Sequence, residues 1–141
     1  MAREPPSSRL AAIVITILIV DDDPSIRFML RTILENEGYT ILEAGNGEAA
    51  LAAIRSESLP DIVMTDLMMP VMTGAELIVQ LRSEVRTAKI PIVVVSSNPH
   101  AVKDLAVDAI IAKPFNAVKL ADRVRVVADL SKRGQPMGGT A

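Results

Sequence analysis

Four apolar runs constrain this chain more than any other feature: Ile13–Val20, Ile62–Met64, Ile90–Val95 and Ala109–Ala112. Most of their residues are β-branched, and none of the runs alternates with polar residues. A strand with one wet face alternates; a strand buried on both faces does not. The runs therefore predict strands of a sheet covered on both sides. A weaker run, Tyr39–Leu42, predicts an edge strand.

Helical periodicity fills the gaps. Asp23-Pro24 offers a cap and a first-turn proline, after which Ile26, Met29, Leu30, Ile33 and Leu34 form one stripe that Gly38 closes. Asn46–Ser56 repeats the pattern with Ala49, Ala50, Ala53 and Ile54, and Ala75–Val85 with Leu77, Ile78 and Leu81. Asn116–Leu130 does so with Val118, Leu120, Val124, Val127 and Ala128. Five strands alternating with helices imply right-handed βαβ units and a parallel sheet.

The 141 residues suit one domain, and with half of them hydrophobic a core needs no metal or disulfide. The domain is expected at residues 13–130, between a disordered extension over 1–12 and a disordered tail over 131–141, both polar and rich in Pro, Gly or Ser for much of their length. Leu10–Val20, preceded by Arg3 and Arg9, imitates a signal peptide. It is too short to span a bilayer and runs into Asp21-Asp22-Asp23 with no cleavage site, so a strand is the better reading. Net charge is −2 with both signs interspersed, so neither nucleic acid nor a membrane is expected as a partner. The absence of Cys excludes a disulfide framework and thiol chemistry, and it is compatible with the cytoplasmic location we expect. A single histidine, His100, argues against a His-based metal site or a Ser-His-Asp triad.

Ligands of open α/β sheets bind beyond the carboxyl ends of the strands. Polar residues collect at those ends here: Asp21-Asp22-Asp23 after the first strand, Asp66 after the third, Ser96-Ser97 after the fourth and Lys113-Pro114 after the fifth. With a strand order of 2-1-3-4-5, Asp21, Asp22 and Asp66 face one crevice. Crowded carboxylates repel unless a cation neutralises them, and oxygen donors without His or Cys point to a hard cation such as Mg²⁺. Lys113 adds a positive point charge and Ser96 a hydroxyl donor. Together they suit phosphoryl transfer onto a carboxylate. Asp23 reads as a helix cap, and Asp61, which precedes its strand, as a solvated loop residue.

The segments "ILIVDDDPSIRFMLRTILENEGY", "DIVMTDLMMPVMTG", "PIVVVSS" and "IIAKPF" resemble the receiver domain of two-component response regulators over roughly Ile13–Leu130. The resemblance implies a flavodoxin-like, doubly wound five-stranded sheet. It implies Asp66 as phosphoacceptor, Asp21 and Asp22 as the acidic pair serving Mg²⁺ with Asp22 the direct ligand, and the Met68 backbone carbonyl as a further ligand. Ser96 would bond the phosphoryl group, Lys113 would pair with it, and Pro114 would follow a cis bond. Two features depart from the family pattern. Ile110 stands three residues before Lys113, where an aromatic residue is usual, and Asn98–Leu105 leaves room only for a short fourth helix.

No recognisable output domain follows Leu130. The expected function is a stand-alone switch phosphorylated by a histidine kinase or histidine phosphotransfer protein and read by a protein target. It would not be an enzyme beyond self-catalysed phosphotransfer and autodephosphorylation. A hydrolase of small phosphoesters is the weaker reading, because the Asp-x-Asp motif and cap domain of the haloacid-dehalogenase type are absent. A non-signalling interaction module with the same fold is the other alternative.

Overall fold

The computed structural model describes residues 14–56, 58–102 and 104–140, with residues 132–140 described by their backbone alone. Strands β1 (Thr16–Val20), β2 (Thr40–Ala44), β3 (Ile62–Thr65), β4 (Ile92–Ser96) and β5 (Ala109–Ala112) form one sheet in the order β2-β1-β3-β4-β5. Every pairing is parallel. This is the expected doubly wound order, and β2 lies at an edge as its weaker run implied.

The non-alternating runs are explained by two cores. Leu18, Val20, Val63, Ile92 and Val94 pack with Ala50, Leu51 and Ile54 of α2 (Gly47–Ser56) and with Leu77, Ile78 and Leu81 of α3 (Gly74–Ser83). Their alternate neighbours Ile17, Ile19, Ile62, Met64, Val93 and Val95 pack with Leu30 and Leu34 of α1 (Pro24–Asn36) and with Leu120, Val124 and Val127 of α4 (Ala117–Thr140). Burying each such side chain is worth about 1.5–3 kcal/mol, so neither face tolerates a polar residue.

The helix starts follow capping chemistry. The Asp23 side chain accepts from the Ser25 amide, as expected of a cap, with Pro24 in the first turn. Thr73 and Glu76 form a reciprocal capping box at the start of α3. Asn46 and Asn116 accept from the amides of Ala49 and Lys119. Past the end of α1, Gly38 takes a φ of 97°, a left-handed turn that a Cβ would disfavour.

Several expectations need correction. β1 begins at Thr16, and β4 begins at Ile92 after Pro91, which has no amide to donate to the ladder. α3 ends at Ser83, leaving Val85 exposed. Met29 and Val118 are exposed: each sits at the rim of its stripe, and the sheet reaches only the centre. Asp61 is half-buried: its carboxylate accepts from the Thr16 amide at 2.8 Å, tying down the start of β1. The short fourth helix is a single 3-10 turn, Pro99–Val102, closed by i→i+3 bonds and anchored by buried Val102. α4 runs as helix to Thr140. The extension expected over 1–12 lies outside the described residues.

Candidate functional site

The parallel register brings the strand ends level. Val20 pairs with Thr65, and Thr65 with Val94, so the residues that follow β1 and β3 emerge together. Asp66 donates its amide to the Val20 carbonyl at 3.0 Å. Asp21 donates its amide to Ala44 at the end of β2. One carboxylate oxygen from each of Asp21, Asp22 and Asp66 lies within 4.8 Å of the others. Asp21 is buried, Asp22 is exposed and the Asp66 side chain is 11% exposed.

Lys113 bridges the pair below. Its Nζ donates to Asp21 Oδ2 at 3.0 Å and to Asp66 Oδ2 at 3.1 Å. The Lys113 amide bonds the Ser96 carbonyl, and the Lys113–Pro114 peptide is cis as expected. Burial raises the Asp21 carboxyl above the usual carboxylate range, against the Asp23 amide and Lys113, which pull it down. Burial also works against the charge of Lys113, but hydrogen bonds to Asp21 and Asp66 outweigh it and raise the ammonium. The lysine is thus a fixed cation facing two acids.

Asp66 is held in one orientation. Its Oδ1 accepts from the Leu67 amide at 2.7 Å, while Lys113 holds Oδ2. The loop that follows returns to α3 through Gly74, whose amide bonds the Leu67 carbonyl at 2.8 Å. A Cβ on Gly74 would sit 1.9 Å from the Asp66 carbonyl oxygen, so only glycine permits this approach. Within the loop, Val71 adopts a φ of 71°, which is costly for a β-branched residue. Met68 is exposed, and among the described residues its carbonyl accepts no hydrogen bond. Ser96 is fully buried at the end of β4, but its Oγ accepts from the Asn98 amide at 3.0 Å instead of reaching the acids. Exposed Ser97 makes no part of the cluster.

Two residues adjoin the site without a sequence signal that would single them out. Arg27 donates from NH1 to the Asp21 carbonyl at 2.6 Å. Thr65 donates to the Asp66 carbonyl at 2.7 Å. Arg27 falls on the polar side of an amphipathic helix, where a solvated charge is the ordinary expectation.

The carboxylate oxygens of Asp21, Asp22 and Asp66 fit a hard divalent cation: they are crowded, acidic and open to solvent at Asp22.

Comparison with known proteins agrees with this geometry. A family model described as response regulator receiver domain matches residues 17–125. The chain is 32% identical over 119 residues to histidine kinase P4 of Formosa agariphila, covering 81% of this chain and 8% of that protein. It is 38% identical over 114 residues to the DNA-binding response regulator MtrA of Mycolicibacterium smegmatis, covering 77% of this chain and 48% of that one. The chain therefore spans about half the length of that regulator and a small part of the kinase. Among solved structures it is similar to the response regulator TrrA of Thermotoga maritima in complex with Mg²⁺-BeF. The TM-score is 0.73 at 34% identity, over 81% of this chain and 99% of that one.

Proposed function

This chain belongs to the family of response regulator receiver domains, and from that membership we propose that it is a phosphorelay switch whose acceptor is Asp66. The donor is a histidine kinase or histidine phosphotransfer protein, the reaction depends on Mg²⁺, and a protein partner in the cytoplasm reads the phosphorylated surface. The observation that carries this reading is Lys113 bridging Asp21 and Asp66 inside a cluster of three carboxylates.

An Asp66 carboxylate oxygen forms the new O–P bond as the P–N bond of the donor phosphohistidine breaks. The electron pair stays on the imidazole nitrogen, which takes up a proton. The Leu67 amide and Lys113 keep the carboxylate from rotating, so its position is set before the donor arrives. Lys113 offsets negative charge on the phosphoryl oxygens. Asp21, Asp22, Asp66 and the Met68 carbonyl would hold the Mg²⁺, which would supply further charge neutralisation there. Ser96 Oγ accepts from the Asn98 amide, which leaves its hydroxyl hydrogen to donate to a phosphoryl oxygen. Self-catalysed transfer and autodephosphorylation are the only chemistry in this reading.

Incubation with acetyl phosphate and Mg²⁺, followed by mass spectrometric mapping, tests it. Label on Asp66 that disappears in Asp66→Ala supports the switch. Undiminished labelling of the variant defeats the assignment. The second reading, a non-signalling interaction module, is favoured by Ile110 and the single 3-10 turn after β4, and an unlabelled wild-type protein would support it.

A further inference from the structure

We propose that Arg27, clamped by Glu43, is a positioning residue that sets the Asp21–Asp22 peptide and so holds Asp22 where a cation is bound. The inference rests on the reading of the acidic cluster as a Mg²⁺ site.

Asp22 is the exposed member of that cluster, and among the described residues its carboxylate accepts no hydrogen bond. Its place is therefore fixed by the main chain that carries it. That main chain is held from two sides. The Asp21 amide donates to Ala44 at 3.2 Å, and the Asp21 carbonyl, which belongs to the peptide joining Asp21 to Asp22, accepts from Arg27 NH1 at 2.6 Å. A charged donor on a carbonyl makes a stronger bond than a neutral one.

Arg27 is itself fixed. Its Nε donates to Glu43 Oε1 at 3.0 Å, so one guanidinium spans from β2 to the start of the acidic loop. Glu43 cannot swing away with it, because its other oxygen accepts from Arg31 NH1 at 2.6 Å. Hydrogen bonds from Arg31 and then Arg27 lower the Glu43 carboxyl, keeping it ionised. The Arg27 guanidinium also lies over the turn after β2, where a Cβ on Gly45 would be 3.6 Å from NH1. The result is a relay of Arg31, Glu43 and Arg27 ending on the Asp21 carbonyl. Partners behind a metal's direct ligands orient those ligands, and their loss typically lowers metal affinity about tenfold to a hundredfold.

Two simpler roles make different forecasts. A surface ion pair of only structural use changes stability and leaves Mg²⁺ affinity alone. A purely electrostatic role has the opposite sign: Arg27 is a cation beside a cation site, so removing its charge would tighten Mg²⁺ binding.

The test is Mg²⁺ titration of the full chain by ¹H–¹⁵N NMR, following the Asp22 and Met68 amides. Wild type, Arg27→Met, Glu43→Gln and the distant control Arg55→Met are compared, with thermal melts in parallel. Arg27→Met should bind Mg²⁺ about tenfold or more weakly, Glu43→Gln should also bind more weakly, and Arg55→Met should match wild type. Equal or tighter binding by Arg27→Met overturns the inference. If Arg27→Met does not fold, Glu43→Gln decides alone, and wild-type affinity in that variant overturns the inference too. A wild-type protein that binds no Mg²⁺ defeats the underlying reading, and this inference with it; normal wild-type binding with unaffected variants defeats this inference only.

Discussion

Gly74→Ala should disable phosphoryl acceptance more than it disables folding. A Cβ at this position would lie 1.9 Å from the Asp66 carbonyl oxygen, 2.7 Å from Leu67 Cα and 2.8 Å from the Asp66 carbonyl carbon. All three are main-chain atoms, so no side chain can rotate to make room. Ordinary contact begins near 3.4 Å, so the start of α3 and the Asp66–Leu67 peptide must part by about 1.5 Å. Overpacking of this kind costs about 1–3 kcal/mol. Parting also weakens the bond from the Gly74 amide to the Leu67 carbonyl, worth about 1 kcal/mol. Alanine gives back about 0.5–1 kcal/mol because glycine loses more backbone entropy on folding. The net loss is about 2 kcal/mol, which most domains survive. The acceptor survives less well, since a misplacement of about 1 Å at a reacting group can cost about a hundredfold in rate. Urea unfolding measures the first quantity, and the rate of labelling of Asp66 by acetyl phosphate measures the second. Gly47→Ala is the control. Its Cβ would meet only the Met72 side chain, at 2.8–3.0 Å, and a methionine adapts. It should cost less than about 1 kcal/mol and label normally. Wild-type labelling in Gly74→Ala would show that this close approach does not set the position of Asp66.

The Asp21 carboxyl is raised by burial, so the folded state favours its protonated form, and this penalty on stability grows as pH rises from about 4. Asp21→Asn should therefore gain on the wild type between pH 4 and pH 7 in urea unfolding; a difference that stays constant with pH contradicts the burial argument. Val71→Gly should stabilise the fold by up to about 1 kcal/mol, because relief of a left-handed β-branched residue is partly offset by glycine's entropy. A lower unfolding midpoint in that variant would show that the loop carries no such strain. Beryllofluoride with Mg²⁺ should shift the amides of Ser96–Val102 while Ile110, stiff at χ1, keeps one rotamer by methyl NMR. A rotamer change at Ile110 beside a static loop would reverse that account.

Much of this molecule was legible because its cores and its acids obey local rules. Non-alternating β-branched runs can only be strands buried twice, and Asp23-Pro24 or the Thr73–Glu76 box announce helix starts within four residues. Asp21, Asp22, Asp66 and Lys113 were each visible as polar residues at strand ends, and the doubly wound order then brought them together. What stayed hidden depends on partners far away in sequence. Arg27 finds Glu43 across 16 positions and Arg82 finds Asp108 across 26. No periodicity encodes such pairs. Arg82 also donates to the carbonyls of Ala88, Ile90 and Ala106, tying the end of α3 to the segments that lead into β4 and β5. Asp61 looked solvated for the same reason, since its partner is the distant Thr16 amide. The short fourth helix is of the 3-10 kind, a detail hidden from the sequence because length alone cannot distinguish i→i+3 from i→i+4 bonding.

The Lys113–Asp21 bond joins residues 92 positions apart, and Lys113–Asp66 joins residues 47 apart. Closing loops of this length costs entropy that local contacts do not. A chain that lacks β5 carries the acids without the lysine. On the proposed reading, phosphoryl acceptance at Asp66 then depends on β5 having joined the sheet, because the cation beside the acceptor arrives only with that strand.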